Sequence, residues 1–197
     1  MKKIPRNEIF RKVIHMLTSV FPLTYLWFEI NPDIMVILFC LLSLISIFIE
    51  FMRRFSRLFS KMFNYYFISM LRKNESEGGL TGATWLFLGF AITAFIFERE
   101  IAIAALLFLT IGDSIAALVG ISYPKIKLGH KTLSGTLAGT FACILVVSLS
   151  SQTLMPLIII IGAISAMSIE LLPLRINDNI TIPIFSGYIM KLAGTFL

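Results

Sequence analysis

Several uninterrupted apolar runs, each long enough to cross a lipid bilayer as a helix, constrain the fold of this chain more than any other feature. Composition agrees with them, because 57% of the 197 residues are hydrophobic and 14% are charged. A soluble domain carries about 25% charged residues. The sequence therefore predicts an all-α fold, a polytopic integral membrane helical bundle that forms one domain over residues 1–197.

Apolar periodicity and the breaks between runs predict about seven transmembrane helices. The expected spans are 13–30, 34–51, 81–97, 101–121, 133–150, 155–172 and 180 to the C-terminus. The last one contains Pro183 and Gly187, which leaves open whether it is broken or re-entrant. Over 51–73, cations alternate with aromatic and aliphatic residues at roughly helical spacing. That segment predicts either an amphipathic helix on the cytoplasmic face or an extension of the second span, and in either case it presents cations to anionic headgroups or to a phosphate.

The distribution of lysine and arginine predicts the orientation of the chain. With the N-terminus in the cytoplasm, 15 of the 17 basic residues lie in cytoplasmic segments, and only Arg99 and Lys191 fall outside them. Membrane orientation also accounts for the net charge of +6. We therefore expect an integral membrane protein with a cytoplasmic N-terminus, the lipid bilayer as a partner and no nucleic-acid partner.

Polar clusters collect on that same cytoplasmic face. They lie in the N-terminal segment and in NESEGGLTGAT, GDS, SYPKIKLGHKTLSGT and ELLPLRINDNITIP, whereas the outer loops NPD, ERE and SSQT show no comparable pattern. This sorting predicts an enzyme that takes a charged, water-soluble substrate from the cytosol and a lipid from the bilayer. A transporter or channel would need polar residues on both sides of the membrane or along a path.

Asp113 interrupts the apolar run LTIGDSIAALVG. An ionisable side chain at the bilayer centre costs roughly 2.5–3.5 kcal/mol, so such residues are functional by default. Gly112, Ala116 and Gly120 recur four residues apart and form a stripe that lets another helix approach closely. Asp113 and Ser114 lie beside this stripe and are expected to face the bundle. The alternative is that Asp113 pairs with a nearby lysine to hold helices together.

The segment GHKTLSGTLAG has the features of an anion site. It combines Lys131 and hydroxyl groups with a helix N-terminus that Thr132 or Ser134 could cap. Gly135 and Gly139 form a GxxxG pair just inside the membrane. The alternative is a capped helix start that a cation anchors at the interface.

The segment INDNITIP carries Asn177, Asp178, Asn179 and Thr181. These residue types are also ordinary turn and cap residues. Together with Asp113, Glu170 and a nearby basic loop, however, they supply the groups for Mg²⁺-assisted phosphoryl transfer. In that chemistry carboxylates hold the metal, while lysine and helix N-termini hold phosphate oxygens.

Arg11 and His15 are four residues apart in the N-terminal segment and share one helix face. In a functional interpretation, His15 orients or deprotonates a lipid hydroxyl. The alternative is a histidine that forms a structural hydrogen bond at the membrane interface.

Five motifs of this chain resemble those of the dolichol kinase, phytol kinase and CTP-dependent diacylglycerol kinase family. Three of them follow one another in order along the chain, namely GDSIAALVG, KTLSGTLAG and ELLPLRINDNITIP, and the other two are EIFRKVIH and LTGATWLFLG. The resemblance covers nearly the whole chain and implies one transmembrane lipid-kinase domain that uses CTP to phosphorylate a lipid alcohol. The resemblance implies a nucleotide-binding role for Gly112, Asp113, Ser114, Lys131, Thr132, Gly135, Asp178, Asn179 and Thr181. We also expect such a role for Ser134 and Asn177, which lie in the same motifs.

The resulting expectation is transfer of the γ-phosphate of CTP to a polyprenol, a phytol-like alcohol or diacylglycerol. Asp113 is the first expected Mg²⁺ ligand and Asp178 the second, Lys131 neutralises charge on the phosphoryl group, and the lipid hydroxyl lies near His15 and Arg11. CDP-diacylglycerol synthases carry a similar Asp helix and Lys–Thr–x–x–Gly loop, so a cytidylyltransferase acting on a lipid phosphate is the alternative. The glycine stripes leave a homodimer open.

Overall fold

The computed structural model describes residues 3–68, 70–129, 131–151, 153–174 and 176–196. Lys2 and Arg175, counted above among the cytoplasmic cations, lie outside the described residues. The all-α prediction is confirmed, because in these ranges the strands are limited to a two-residue antiparallel pair, β1 (Lys127–Leu128) and β2 (Lys131–Thr132). The first helices are α1 (Arg6–Leu17), α2 (Val20–Trp27), α3 (Pro32–Phe55), α4 (Arg57–Phe67), α5 (Lys73–Ser76) and α6 (Gly82–Ile96).

The second half of the chain begins with one continuous helical run. It consists of α7 (Arg99–Leu107), a π-helical turn (Phe108–Gly112) and α8 (Asp113–Ser122). After the strand pair come α9 (Leu133–Ser150), α10 (Pro156–Leu171) and α11 (Asp178–Phe196). Helix α7 lies at the centre of the hydrophobic core, where Ala102 to Leu107 are at most 3% exposed. A helix that is apolar all round is stable only when it is buried in this way.

In the described part of the chain, three helices are long and apolar enough to cross a membrane. They are α3, the run Arg99–Ser122 and α9, while α6 and α10 are apolar but shorter, with 15 and 16 residues. These helices are compatible with a membrane protein. The number of seven spans stays a prediction.

The first predicted span, 13–30, is wrong as a single helix. Helix α1 ends at Leu17 and α2 begins at Val20. The physical reason is Pro22, which has no N–H to donate to the carbonyl of Thr18 four residues earlier, so the helix breaks at that point.

The last predicted span is one unbroken helix, α11, in spite of Pro183 within it. Pro183 lacks the N–H that would bond to the carbonyl of Asn179. Gly89 of α6 packs against that carbonyl so closely that a Cβ atom at Gly89 would collide with it. A glycine on the neighbouring helix therefore accommodates the proline-altered turn, and the helix continues.

Within the segment 51–73, α3 continues to Phe55 and a separate helix, α4, covers Arg57–Phe67. Ser56 is extended, with φ −109° and ψ 114°, and its hydroxyl accepts a hydrogen bond from the N–H of Phe59 at 3.3 Å. This cap starts α4 in a new direction. The exposed fractions of Leu58 and Tyr65 are 81% and 82%, as expected for an amphipathic helix on a surface.

A buried ion pair at the end of α3 fixes α4 and the loop that follows. Arg53 and Glu50 are 3.2 Å apart and are 8% and 3% exposed. The guanidinium of Arg53 also donates to the carbonyls of Glu75 and Gly79, at 2.5 and 3.2 Å, and lies over the ring of Phe63. These contacts hold the turn after α5 and the inner side of α4 in place.

Helices α8 and α9 approach closely through their glycines. A Cβ atom at Gly135 would collide with the backbone carbonyl of Ala116, and one at Gly139 would lie 2.9 Å from the carbonyl of Gly112. The predicted small-residue stripe therefore mediates helix packing within the chain.

Candidate functional site

The π-helical turn determines where Asp113 lies. The N–H of Asp113 bonds to the carbonyl of Phe108, five residues earlier, instead of the residue four positions back. Single π-turns within α-helices are frequent at functional sites. Here the wider turn lies next to α1, and the carbonyl of Leu109 in that turn is 3.3 Å from Nε2 of His15.

Asp113 is part of a buried cluster with two residues of α1. Its Oδ2 is 2.6 Å from Nζ of Lys12 and 3.6 Å from Nε2 of His15. Lys12 and Asp113 are 5% and 8% exposed. The pairing with a nearby lysine, which the sequence left as an alternative, is therefore present, and Lys12 provides it.

Lys131 forms a second cluster with two carboxylates. Its Nζ is 2.8 Å from Oε1 of Glu170 and 2.9 Å from Oδ2 of Asp178, and it also donates to the carbonyl of Glu170. Burial alone would lower the pKa of the Lys131 amine. The two carboxylates outweigh that effect and raise this pKa above the ordinary value of lysine. Lys131 therefore stays charged.

Thr132 is the N-cap of α9, which confirms one of the two predicted caps, Thr132 or Ser134. Its Oγ1 accepts a hydrogen bond from the N–H of Gly135 at 3.2 Å. Ser134 is engaged elsewhere, because its hydroxyl donates to the carbonyl of Tyr123 at 2.5 Å. The positive end of the α9 dipole therefore lies directly beside Lys131.

Lys12 and Asp113 of the first cluster and all three residues of the second line one cavity of about 370 Å³, which we call the polar cavity because of these charged groups. The cavity brings together the predicted residues Asp113, Lys131 and Asp178, which come from distant parts of the chain. Among the described residues, four cations and four carboxylates line it, so their formal charges balance. These eight residues are Arg11, Lys12, Arg72, Lys131, Glu8, Asp113, Glu170 and Asp178.

A second cavity, of about 420 Å³, is mainly lined by aliphatic and aromatic side chains of α1, α3, α4 and α6. His15 and Asn179, both predicted as site residues, belong to its lining. The two cavities share four lining residues, which are Arg11, Lys12, Arg72 and Asp113. A polar compartment and an apolar compartment therefore meet at the Lys12–Asp113 ion pair.

Two carboxylates of the polar cavity, Asp113 and Asp178, are the residues that could hold a metal ion. Within the described ranges, no group of three His, Cys, Asp or Glu side chains is arranged to hold a metal. Mg²⁺ usually binds through one or two carboxylates together with substrate phosphates and water. Asp113 and Asp178 on one cavity meet that requirement.

Six predicted nucleotide-binding residues, all of them described, are not among those that line either cavity. They are Gly112, Ser114, Ser134, Gly135, Asn177 and Thr181. Ser114 is fully buried and donates to the carbonyl of Thr110 at 2.7 Å. The side chain of Asn177 accepts from the N–H of Asn179 at the start of α11. The hydroxyl of Thr181 is buried without a hydrogen-bond partner among the described residues.

The sequence did not single out Lys12 or Arg72 as site residues, because Lys12 counted only as a cation that orients the chain and Arg72 only as one of the cations of the segment 51–73. A signal for Lys12 was available. It lies three residues before His15 and therefore shares a helix face with it, in the same way as Arg11 does. Arg72 had no comparable signal.

One relative was found among known proteins. Over 182 residues, which are 88% of this chain and 88% of the relative, the sequence is 32% identical to "Uncharacterized protein RP860" of Rickettsia prowazekii (strain Madrid E). No family model matches the chain, and no solved structure matches it significantly. The relative's description states no activity, so this comparison shows only that the two proteins belong to the same family.

Proposed function

We propose that this chain, which belongs to the same family as the Rickettsia protein, is an integral membrane kinase that transfers the γ-phosphate of CTP to a lipid alcohol. The acceptor is a polyprenol, a phytol-like alcohol or diacylglycerol. Its N-terminus and active site face the cytoplasm. The seven spans are α1 with α2, α3, α6, the run Arg99–Ser122, α9, α10 and α11.

The observation that carries this proposal is the meeting of two chemically different cavities at one ion pair. A kinase that acts on a lipid must bind a charged nucleotide and an apolar acceptor with their reacting atoms in contact. The polar cavity suits the nucleotide phosphates, the apolar cavity suits the acceptor, and Lys12 and Asp113 line both. The sequence resemblance adds the identity of CTP as phosphate donor.

In the polar cavity, the phosphates of CTP replace the internal partners of Lys131. Its amine, now paired with Glu170 and Asp178, turns to a phosphate oxygen, and the α9 N-terminus beside Thr132 adds its dipole. Asp113 and Asp178 would hold Mg²⁺, which neutralises phosphate charge when bound. Without CTP, the carboxylates neutralise the cations of the cavity. When CTP binds, its phosphates take the place of the carboxylates on Lys131, so a cavity with balanced charges can still bind a polyanion.

In the transfer step, the lipid oxygen bonds to the γ-phosphorus, and the bond from that phosphorus to CDP breaks. The hydroxyl proton passes to His15. Because Nε2 of His15 lies against the carbonyl of Leu109, which only accepts, Nε2 carries the hydrogen of the neutral ring and Nδ1 is the free acceptor. Lys12 and Arg11, at the junction, neutralise charge on the transferring group.

The proposal is tested with purified protein in lipid nanodiscs, γ-labelled CTP and a panel of lipid alcohols. We expect a labelled lipid phosphomonoester together with CDP. Asp113→Asn and Lys12→Met should each lower kcat/KM by about 100-fold or more, because each removes a charged group at the transferring phosphate. The matched controls, Asp33→Asn and Lys61→Met, change exposed residues outside both cavities and should retain activity.

Two outcomes would contradict the kinase proposal. Label that reaches none of the alcohols would exclude it for these substrates. Release of pyrophosphate with formation of a CDP-lipid from a lipid phosphate would identify a cytidylyltransferase instead.

A further inference from the structure

Two side chains of the apolar cavity also lie at the protein surface. Ile14 of α1 is 47% exposed and Phe67 of α4 is 46% exposed, although both contribute to the cavity lining. A side chain that lines a cavity and is also half exposed lies at its rim. The apolar cavity therefore reaches the protein surface at these two residues, and the same reasoning applies to exposed Arg72 and Ala83, which also line it.

The packing of the helices explains why the opening lies there. Helix α1 packs against α8 and the π-helical turn, and α4 packs against α3. Helices α1 and α4 do not form a packed pair with each other in the part of the chain that the structure describes.

Phe63, which lies one turn before Phe67 in α4, is held in place by its neighbours. The ring of Phe63 lies under the guanidinium of Arg53, 5.1 Å from it, and 4.9 Å from the ring of Phe67. Arg53 is itself anchored by Glu50 and by two backbone carbonyls. Phe67 is therefore the outer, exposed member of a stack whose inner member is held in place.

From this geometry we propose that the tail of the lipid alcohol passes through the lateral opening between Ile14 and Phe67 and continues into the bilayer. This inference rests on the proposed function. The occupant is an amphiphile, because the cavity combines the polar groups Lys12, His15 and Asp113 with apolar side chains that reach the surface at Ile14 and Phe67. A cavity of about 420 Å³ has the size of a site for a small ligand, so a long chain must extend out of it.

The exposed surface beside the opening fits a lipid environment. Leu58, Tyr65, Tyr66 and Ile68 are between 54% and 82% exposed on and just after α4. Aromatic and aliphatic side chains of an interfacial helix lie at the boundary between headgroups and acyl chains. A tail that leaves the cavity at Phe67 therefore enters hydrocarbon instead of water.

The first test narrows the opening and compares two acceptors. Ile14→Trp should lower kcat/KM by about tenfold for a long-chain lipid alcohol and by less than about twofold for a short, water-soluble alcohol, because only the long chain occupies the opening. The matched control is Val13→Trp. Val13 is 44% exposed and adjacent, but it does not line the cavity. Equal losses for both acceptors, or equal effects of the two variants, would overturn the inference.

The second test does not depend on catalysis. A long-chain alcohol with a diazirine in its tail is photolysed in nanodiscs that contain the wild-type protein, and the labelled peptides are mapped. Labelling centred on Ile14 and Phe67 that excess unlabelled alcohol removes is the expected result. Labelling spread over other lipid-facing surfaces, such as exposed Phe141 of α9, would overturn the inference. If no alcohol is phosphorylated by CTP, the proposed function fails while this mapping still decides the route.

Discussion

Removal of both members of the Lys12–Asp113 pair should destabilise the folded protein much less than the sum of the two single removals. Breaking a buried ion pair costs about 3–5 kcal/mol, because the remaining charge stays buried without a partner. The cost of Lys12→Met should lie near the lower end of this range, since Nε2 of His15 remains 3.6 Å from the carboxylate of Asp113. Asp113→Asn should cost near the upper end of this range, because the Lys12 ammonium then faces only neutral acceptors, the new amide oxygen and the backbone carbonyl of residue 113, at 3.5 Å.

The double variant Lys12→Met/Asp113→Asn leaves neither charge unpaired. If the two effects were independent, the double variant would lose about 8 kcal/mol of unfolding free energy. We expect a loss that is smaller than this sum by about 3 kcal/mol or more. Unfolding of nucleotide-free protein by SDS in mixed micelles, followed by the fluorescence of Trp27 and Trp85, gives each free energy. Lys61→Met and Asp33→Asn are the matched controls. Additive effects, or single variants that lose less than about 1 kcal/mol, would refute the reasoning.

Further expectations concern helix packing, pH and the α3 anchor. Gly135→Ala should cost about 1–3 kcal/mol in unfolding free energy, because the new methyl group meets the backbone of Ala116, whereas Gly194→Ala, whose nearest neighbour is 3.7 Å away, should be neutral. The pKa of Lys131 is raised on folding, so its ion pairs contribute fully below about pH 10.4 and are lost as pH rises through the folded pKa. Alkaline unfolding should show this loss in wild-type protein and lack it in Lys131→Met. Arg53→Met should leave Glu50 buried without its partner and lower the unfolding midpoint.

The sequence predicted the helices best where an apolar run ends at clear breaks. Helix α9 has the bounds expected for the fifth span, and Thr132 caps it because its hydroxyl directly precedes the first turn. The break between α1 and α2 also had a local signal in Pro22, which the apolar pattern alone concealed.

The candidate site was only partly predictable, because its contacts join residues that are distant in sequence. Lys12 and Asp113 are 101 positions apart, and Lys131 and Asp178 are 47 apart. Residue type and local spacing indicated that these groups carry chemistry, but not which cation pairs with which carboxylate. The apolar cavity had no signal of its own, because its shape depends on how four helices pack.

The central claim, phosphoryl transfer from CTP to a lipid alcohol, is tested most directly by the origin of the phosphorus on the lipid product. CTP labelled with different phosphorus isotopes at the α and γ positions is incubated with the nanodisc protein and a long-chain alcohol. The account predicts that the γ isotope alone appears in the lipid and that the α isotope stays in CDP. Recovery of the α isotope in the lipid, or of neither isotope, would contradict it.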